Sequence, residues 1–571
     1  MAHLSESSER LKLKNLGLAE VDESLSEPNV WFLHLPFRVN TESKDNLFQN
    51  LEKLILKTPI NSTISFITSP QLAVDFLSDF KNKNVKVALW ISVKLRSVER
   101  REGNLGNQHA ALIVLTRYKS ALKHTKTRIS YTYCPECDRT TKDYGGKKHL
   151  YNEFGTLMSD VWRDITYNPT SQNASKVVSR LSDLFGLKPY KTLYQVDFRA
   201  HFPLEHDRVY INSNLNGTAA NDFQYKGVQD SMLINGDSLS ILKEVPSNSI
   251  HYCFADPPYN LNKKYETWND DLDIEQYFDW CDVWISELAR ILKPRGVLSI
   301  LNIPLWSIRH FKHLKSLSDL KFSDWITWEG LSLPVRMIMP SNYVILNFSK
   351  GDMRPINLST KHKEKKSLRT LKEGYCSRAS CINKRKKNKV KDKDYISNIW
   401  WDIHRLKHNS KRVDHPCQLP PLLMQRLIGL YTKEGEIVLD PFNGTGTTTL
   451  VAHQMERKYV GLEIDNYYHN QALKRHNDII EGLDPFRKND SIPKAKNSHV
   501  VRMNGKYKIS KKELQLYVKS LSFKVGRIPS RNDVIEDGKY PINYFDNYFM
   551  NWAEVCAAAR TTGMNEQRVG V

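Results

Sequence analysis

Apolar residues along this chain fall into two rhythms. Short runs of four to nine, rich in β-branched and aromatic residues, read as buried strands: Val85–Val93 (VKVALWISV), Ala110–Leu115, Tyr252–Ala255 (YCFA), Gly296–Asn302, Asn342–Phe348, Glu436–Asp440 (EIVLD) and Tyr459–Ile464. Between them, Ile274–Leu292, Leu422–Tyr431 and Thr447–Met455 space their apolar residues three and four apart, as one face of a helix requires. Strands alternating with helices predict an α/β fold built on a doubly wound, open and mostly parallel Rossmann-like sheet. The pattern divides the chain into a polar, flexible stretch over 1–27, a first domain over 28–208, a second over 225–484 and a small helical tail over 510–564. A polar linker, Lys488–Ser498, leads into the tail.

Composition changes this picture in three ways. At 571 residues the chain exceeds one ordinary core. Lys and Arg outnumber Asp and Glu by 84 to 63, a net charge of +21 that favours a polyanionic partner through counterion release. No apolar stretch reaches the length of a membrane span, and the first 27 residues lack the apolar core of a secretory leader. The eight cysteines are scattered apart from two pairs, Cys134/Cys137 and Cys376/Cys381, which suits a reducing cytoplasm better than a disulfide framework.

Chemistry concentrates in the second domain. The strand EIVLD runs straight into Asp440-Pro441-Phe442-Asn443-Gly444-Thr445-Gly446-Thr447 and then a helix. An acid ending a buried strand, followed by a glycine-rich turn, puts a carboxylate and close backbone N–H groups at the carboxyl edge of the sheet, where such folds bind ligands. Glu463 ends the next strand and can accept from two ribose hydroxyls. Asp256-Pro257-Pro258-Tyr259-Asn260 follows YCFA. The Asp256 carboxylate and the Pro257 carbonyl can both accept from an exocyclic NH2, localising a lone pair otherwise delocalised into a base. Pro257 and Pro258 stiffen the loop, and Tyr259 can stack on a flipped-out base.

These motifs resemble the amino-methyltransferases of DNA, the N6-adenine and N4-cytosine enzymes of restriction-modification systems. The DPPY-type loop precedes the glycine-rich loop, an order similar to the beta group. The likeness extends to Asn235-Gly236-Asp237, whose acid it places at the cofactor adenine. It also covers His415-Pro416-Cys417-Gln418-Leu419-Pro420, placed near the methionine end of the cofactor. It implies S-adenosyl-L-methionine as methyl donor, with Asp440 toward its amino group. Double-stranded DNA is the implied substrate, and a cognate restriction endonuclease an implied partner. Asp rather than Ser before Pro-Pro-Tyr resembles the adenine enzymes. N4-cytosine, adenine in RNA, or a DNA-binding regulator on an inactive fold remain the alternatives.

In the beta group the DNA-reading segment lies between the catalytic strands and the His-Pro element, here about 352–414. That interval holds Lys384, Arg385, Lys386 and Lys387, then His404, Arg405, Lys411 and Arg412 among tryptophans, a set suited to phosphate contact and base stacking. The first domain echoes the second in worn form. Ser159-Asp160-Val161-Trp162 parallels Ser397-Asn398-Ile399-Trp400, and VKVALWISV with AALIVL is expected to parallel Gly296–Asn302 with Asn342–Phe348. His34-Leu35-Pro36-Phe37 then stands where the catalytic loop would be, without its acid. The first domain therefore reads as a degenerate methyltransferase-like half, giving either a monomer that is an internal pseudo-dimer or a homodimer. The echo also pairs Cys134/Cys137 with Cys376/Cys381 as two halves of one four-cysteine zinc site, with His149 as a further candidate ligand. The tail, with Gly526-Arg527-Ile528-Pro529 and Asn551-Trp552, resembles a small repeat found beside homing endonucleases, which implies DNA contact.

Overall fold

The computed structural model describes residues 12–16, 30–99, 103–117, 125–141, 155–186, 192–202, 231–262, 270–330, 338–356, 368–403, 418–481, 485–486, 509–549, 552 and 555, without 61, 83, 126, 172, 173, 377, 392 and 510. Two sheets organise them. The first comprises β1 (Lys12–Leu16), β2 (Val30–His34), β3 (Thr63–Thr68), β4 (Val85–Glu99), β5 (Asn107–Arg117), β6 (Val161–Tyr167) and β7 (Thr192–Asp197), in the order β1-β7-β2-β3-β5-β4-β6. The second comprises β8 (Met232–Asn235), β9 (Ile250–Ala255), β10 (Leu292–Asn302), β11 (Leu320–Glu329), β12 (Asn342–Lys350), β13 (Ile399–Trp400), β14 (Ile437–Asp440) and β15 (Lys458–Glu463), in the order β8-β15-β14-β9-β10-β12-β11-β13.

Apart from one additional strand in the second sheet, the two orders correspond. β2 pairs parallel with β3 as β9 does with β10, and β5 and β12 each run antiparallel to both neighbours. At one edge, β6 lies parallel to β4 as β13 does to β11. The difference lies between the outer strand and β2 or β9, where the first sheet has β7 alone and the second has β14 and β15.

Two details depart from the sequence reading. Residues 1–27, expected to be flexible, include a strand, Lys12–Leu16, which pairs parallel with β7 at the edge of the first sheet. The run VKVALWISV is β4, whose counterpart is β11 and not Gly296–Asn302; the latter corresponds to Thr63–Thr68. Apolar strand-like runs are hard to tell apart in one dimension, and pairing separates them. The signal that fixes the register is Trp90-Ile91-Ser92 against Trp325-Ile326-Thr327.

Those residues also join the halves. Trp90 and Trp325 stack at 4.4 Å between centroids, and Ser92 Oγ lies 2.8 Å from Thr327 Oγ1. The exchange is reciprocal: Asp160 Oδ1 accepts from the N–H groups of Ser341 and Asn342 at 2.8 and 3.0 Å, while Asn398 Oδ1 accepts from Gln108 N–H at 2.9 Å. Matching helices, Pro70–Asp79 and Pro304–Ser316, pack on each other, with Lys315 reaching Asp75 and Asp79. One hydrophobic core therefore runs through both halves, from Trp31 and Leu51 to Trp284 and Leu439.

The helix Ile274–Ile291 shows how local sequence serves that core. Asp273 caps it, accepting from Glu275 N–H at 2.9 Å. Tyr277, Phe278, Cys281, Trp284, Ile285 and Leu288 recur at helical spacing and are all buried. Each fully buried large apolar side chain there contributes about 1.5–3 kcal/mol. In the tail, helices Lys511–Val525, Arg531–Asp537 and Ile542–Tyr548 close around Leu514, Val518, Val534, Tyr544 and Phe545. Among the described residues no helix is long and apolar enough to cross a membrane.

Candidate functional site

A pocket opens at the carboxyl edge of the second sheet, and both acidic loops line it. Its walls include Asp237, Asp256, Pro257, Pro258, Tyr259, Asp440, Pro441, Phe442, Gly444, Thr447 and Glu463, and so join the expected catalytic residues with most of the expected cofactor residues. Adjacent strands β14 and β9 end in Asp440 and Ala255, so the loops that follow must face each other across one crevice.

The glycine-rich loop is built tightly. Gly446 sits at φ +85°, a left-handed conformation, and opens the helix Thr447–Gln454. On β15, a Cβ at Gly461 would lie 2.6 Å from the Asn443 side chain, so the strand needs glycine for the loop to lie against it. Arg475, buried, donates to the Thr445 carbonyl at 2.6 Å and fixes the loop from behind.

Three of the acids that line the pocket have different tasks already in hand. Asp440, 2% exposed, accepts from Phe442 N–H at 2.9 Å. Burial pushes its carboxyl up to about 7, with the Thr448 hydroxyl and the Phe442 N–H opposing and the charges of Asp256 and Glu463 adding to the rise. Glu463 accepts from Gly444 and Asp465 N–H groups at 2.7 and 2.9 Å, and burial raises its pKa too. Asp237 is exposed and caps the helix Ser238–Glu244, accepting from Ser240 N–H at 2.9 Å. Buried carboxylates raised in this way suit a ligand that carries a cation and hydroxyl groups, the chemistry of the amino-acid and ribose parts of S-adenosyl-L-methionine.

The Asp256–Asn260 loop is braced by several hydrogen bonds. Tyr259 Oη donates to Asp256 Oδ1 at 2.8 Å, Tyr277 Oη to the Pro258 carbonyl at 2.8 Å, and Trp306 Nε1 to the Tyr259 carbonyl at 2.7 Å. Beyond it, Asp270 accepts from the N–H groups of Asn260 and Leu261 at 2.8 and 3.1 Å. Asn260, at φ +54°, exchanges two hydrogen bonds with the backbone of Leu272. Tyr259 thus has an orienting task that its motif did not reveal, and Asp270 was missed altogether. The aromatic lining was missed as well: Trp280 and Trp284 pack on Phe442 at 5.7 and 5.3 Å, and Trp328 and Tyr343, in ring contact, line the pocket too. The only signal for them was an excess of tryptophan in strands and helices that looked like ordinary core.

Other expected site residues are distributed as follows. His404, Arg405, Lys411, Arg412, His415 and Pro416 lie outside the described residues, as does His149. Lys384, Lys386 and Lys387 are exposed on the helix Ala379–Lys387. Arg385, expected beside them on a DNA face, is instead fully buried. It donates to the Cys376 carbonyl at 2.9 Å and lies over the Tyr375 ring. Helical geometry turns one residue in such a run inward, and a linear charge count cannot tell which. The four cysteines do come together, with their sulfur atoms all within 4.8 Å of one another.

The model of a DNA methylase family (N6_N4_Mtase) matches residues 250–474. The type II methyltransferase M.BamHI of Bacillus amyloliquefaciens is 37% identical over 238 residues, 41% of this chain and 54% of the relative, so the chain spans about half the length of that protein. M.HpaI of Haemophilus parainfluenzae is 32% identical over 45% of this chain and 77% of its own length. The DNA adenine methyltransferase YhdJ of Escherichia coli (strain K12) is 29% identical over 44% of this chain and 83% of its own length. With the matched segment carrying both acidic loops of the pocket, and with a relative that similar over most of its own length, this chain belongs to the DNA methylase family.

Proposed function

We propose that this chain transfers a methyl group from S-adenosyl-L-methionine to the N6 amino group of adenine in duplex DNA, as the modifying arm of a restriction-modification or defence system with a cognate nuclease. One observation carries the reading: a single pocket presents the Asp256-Pro257-Pro258-Tyr259 loop opposite the two buried acids Asp440 and Glu463. S-adenosyl-L-methionine supplies an electrophilic methyl group on a sulfonium. Asp440 and Glu463 hold its amino and ribose ends, with Asp237, Phe442 and Thr447 completing the wall. Asp256 and the Pro257 carbonyl accept from the target NH2, which concentrates the nitrogen lone pair where the new bond forms. The amine proton lost on transfer passes by way of Asp256 to solvent. Aromatic walls at Trp328 and Tyr343 suit a base swung out of its stack.

Adenine is favoured by the Asp that opens the catalytic loop and by the kinship to an adenine methyltransferase at 29% identity. DNA is read by the insert, whose exposed Lys384, Lys386 and Lys387 contact phosphates, and the tail adds a further contact. The first half serves as an inactive partner that holds the second. Its Asp197, at the end of β7, is neutralised by Arg199 at 2.7 and 2.8 Å, and His34 stands where the second half has its acid. The test is modified-base sequencing of DNA from cells expressing the chain or Asp256→Ala. N6-methyladenine at one sequence context, lost in the variant while S-adenosyl-L-methionine affinity persists, is expected. N4-methylcytosine overturns the target base, and activity within tenfold of wild type overturns the role of Asp256.

A further inference from the structure

Outside the pocket, the most concentrated reactive group in the described residues is the cysteine cluster that joins the halves. Cys134, Cys376 and Cys381 are buried and Cys137 is half-buried, yet no two of them are bonded. Cys137 Sγ lies 3.9 Å from Cys376 Sγ, and all four sulfurs fall within 4.8 Å of one another. Four thiolates around a tetrahedral zinc at about 2.3 Å stand about 3.8 Å apart along each edge. The cluster is therefore already near the size of a filled site.

The backbone around each pair has the form such a site needs. Cys134 and Cys137 lie on a tight turn closed by Cys134 N–H to the Arg139 carbonyl and Asp138 N–H to the Cys134 carbonyl, both at 2.8 Å. Asp138, at φ +52°, reverses the chain, and Glu136 N–H points at Cys134 Sγ from 3.4 Å. Amides aimed at sulfur stabilise a thiolate. The second pair straddles the start of the helix Ala379–Lys387, with Cys376 before it and Cys381 in its first turn. Cations stand where a four-thiolate zinc centre of charge −2 requires them. Arg378 donates to Cys137 Sγ at 3.3 Å and to the Thr140 carbonyl at 3.1 Å, and buried Arg385 donates to the Cys376 carbonyl.

We infer that Cys134, Cys137, Cys376 and Cys381 bind one structural zinc ion that ties the DNA-reading insert to the first half. All four positions are protein thiolates, so no coordination place is left for water or substrate, and the ion is not catalytic. Each half contributes one pair at the same station, ahead of its Ser-Asp/Asn-x-Trp strand, and Cys137 and Cys376 are 239 positions apart. The ion thereby fixes the helix that carries Lys384, Lys386 and Lys387, and it does so independently of the chemistry at Asp256. Binding displaces the thiol protons to solvent.

The full-length protein should be purified with its metal content measured, then stripped and reloaded with cobalt(II). One zinc per chain is expected, released together with four titratable thiols by an organomercurial. The cobalt form should show the thiolate charge-transfer and intense visible bands of a tetrahedral four-sulfur site. Cys376→Ser and Cys137→Ser should each lower metal stoichiometry. The wild-type cobalt spectrum provides the measurement if either variant fails to fold. No bound metal after reloading, a cobalt spectrum without thiolate charge transfer, or a disulfide found by mass in place of the metal overturns the site.

Discussion

Replacing Asp270 by Ala probes whether preorganisation of the catalytic loop, separate from Asp256 itself, sets the rate. Asp270 is 2% exposed, and its two carboxylate oxygens take the N–H groups of Asn260 and Leu261, at 2.8 and 3.1 Å, just past Tyr259. A hydrogen bond to a charged acceptor contributes about 1.5–3 kcal/mol, so two bound the loss at about 3–6 kcal/mol. Leu261 is 47% exposed, so its freed N–H can turn to water, which reduces the expected cost to about 2–4 kcal/mol. If that cost falls on the positioning of Asp256 and Pro257, turnover drops by about 30- to 1,000-fold, at about 1.4 kcal/mol per decade. Asp270→Asn keeps one acceptor and should fall between. The assay is tritiated methyl incorporation at saturating DNA, with calorimetric S-adenosyl-L-methionine affinity and the melting temperature measured on the same preparations. Turnover within threefold of wild type refutes the reasoning. So does a loss of cofactor affinity as large as the loss of rate, because Asp270 braces only the loop on the far side of the pocket.

Two further expectations follow from other parts of the structure. The Asp440 carboxyl, raised to about 7 by burial, stabilises the cofactor-free protein while protonated. That contribution is complete below its unfolded value near 4 and is lost as pH rises through about 7, whereas a cationic ligand favours the ionised form. Cofactor affinity should therefore rise over that window and the ligand-free melting temperature should fall, and Asp440→Asn should flatten both; calorimetry and thermal melts across pH check this. Trp325→Ala empties a buried site stacked on Trp90 between the halves and should cost about 3–5 kcal/mol, read by denaturant titration as one cooperative transition. Separate, unshifted unfolding of the two halves would show that they do not share a core.

The second half was legible in the sequence because its information is local. A strand that must end in an acid, a turn that must be glycine and a loop stiffened by two prolines are each contiguous, as at Asp440–Gly446 and Asp256–Tyr259, so their chemistry survives being read in one dimension. Helix Ile274–Ile291 was equally plain, since its buried positions repeat at the helical period. The cysteine pairs were matched by their place ahead of similar four-residue segments, Ser159–Trp162 and Ser397–Trp400, again a pattern of order along the chain. What lay beyond reach was everything set by pairing between distant segments. Val85–Val93 and Gly296–Asn302 are both apolar strand-like runs, and only their second neighbours, β6 at the sheet edge for the one and β9 for the other, show that they hold different places in their sheets. Arg385 reads as one more cation in a basic run until the helix turns it inward to Cys376. Asp270 and Trp328 carry no motif; they belong to the site because the fold brings them there, one to brace a loop ten residues earlier and one to wall a pocket from an antiparallel strand pair. Composition and periodicity determine which elements form and which acids face the carboxyl edge, because backbone propensity and burial act over a few residues. Which elements become neighbours is decided by tertiary packing, where a small difference in side-chain fit selects among pairings that the sequence alone leaves equivalent.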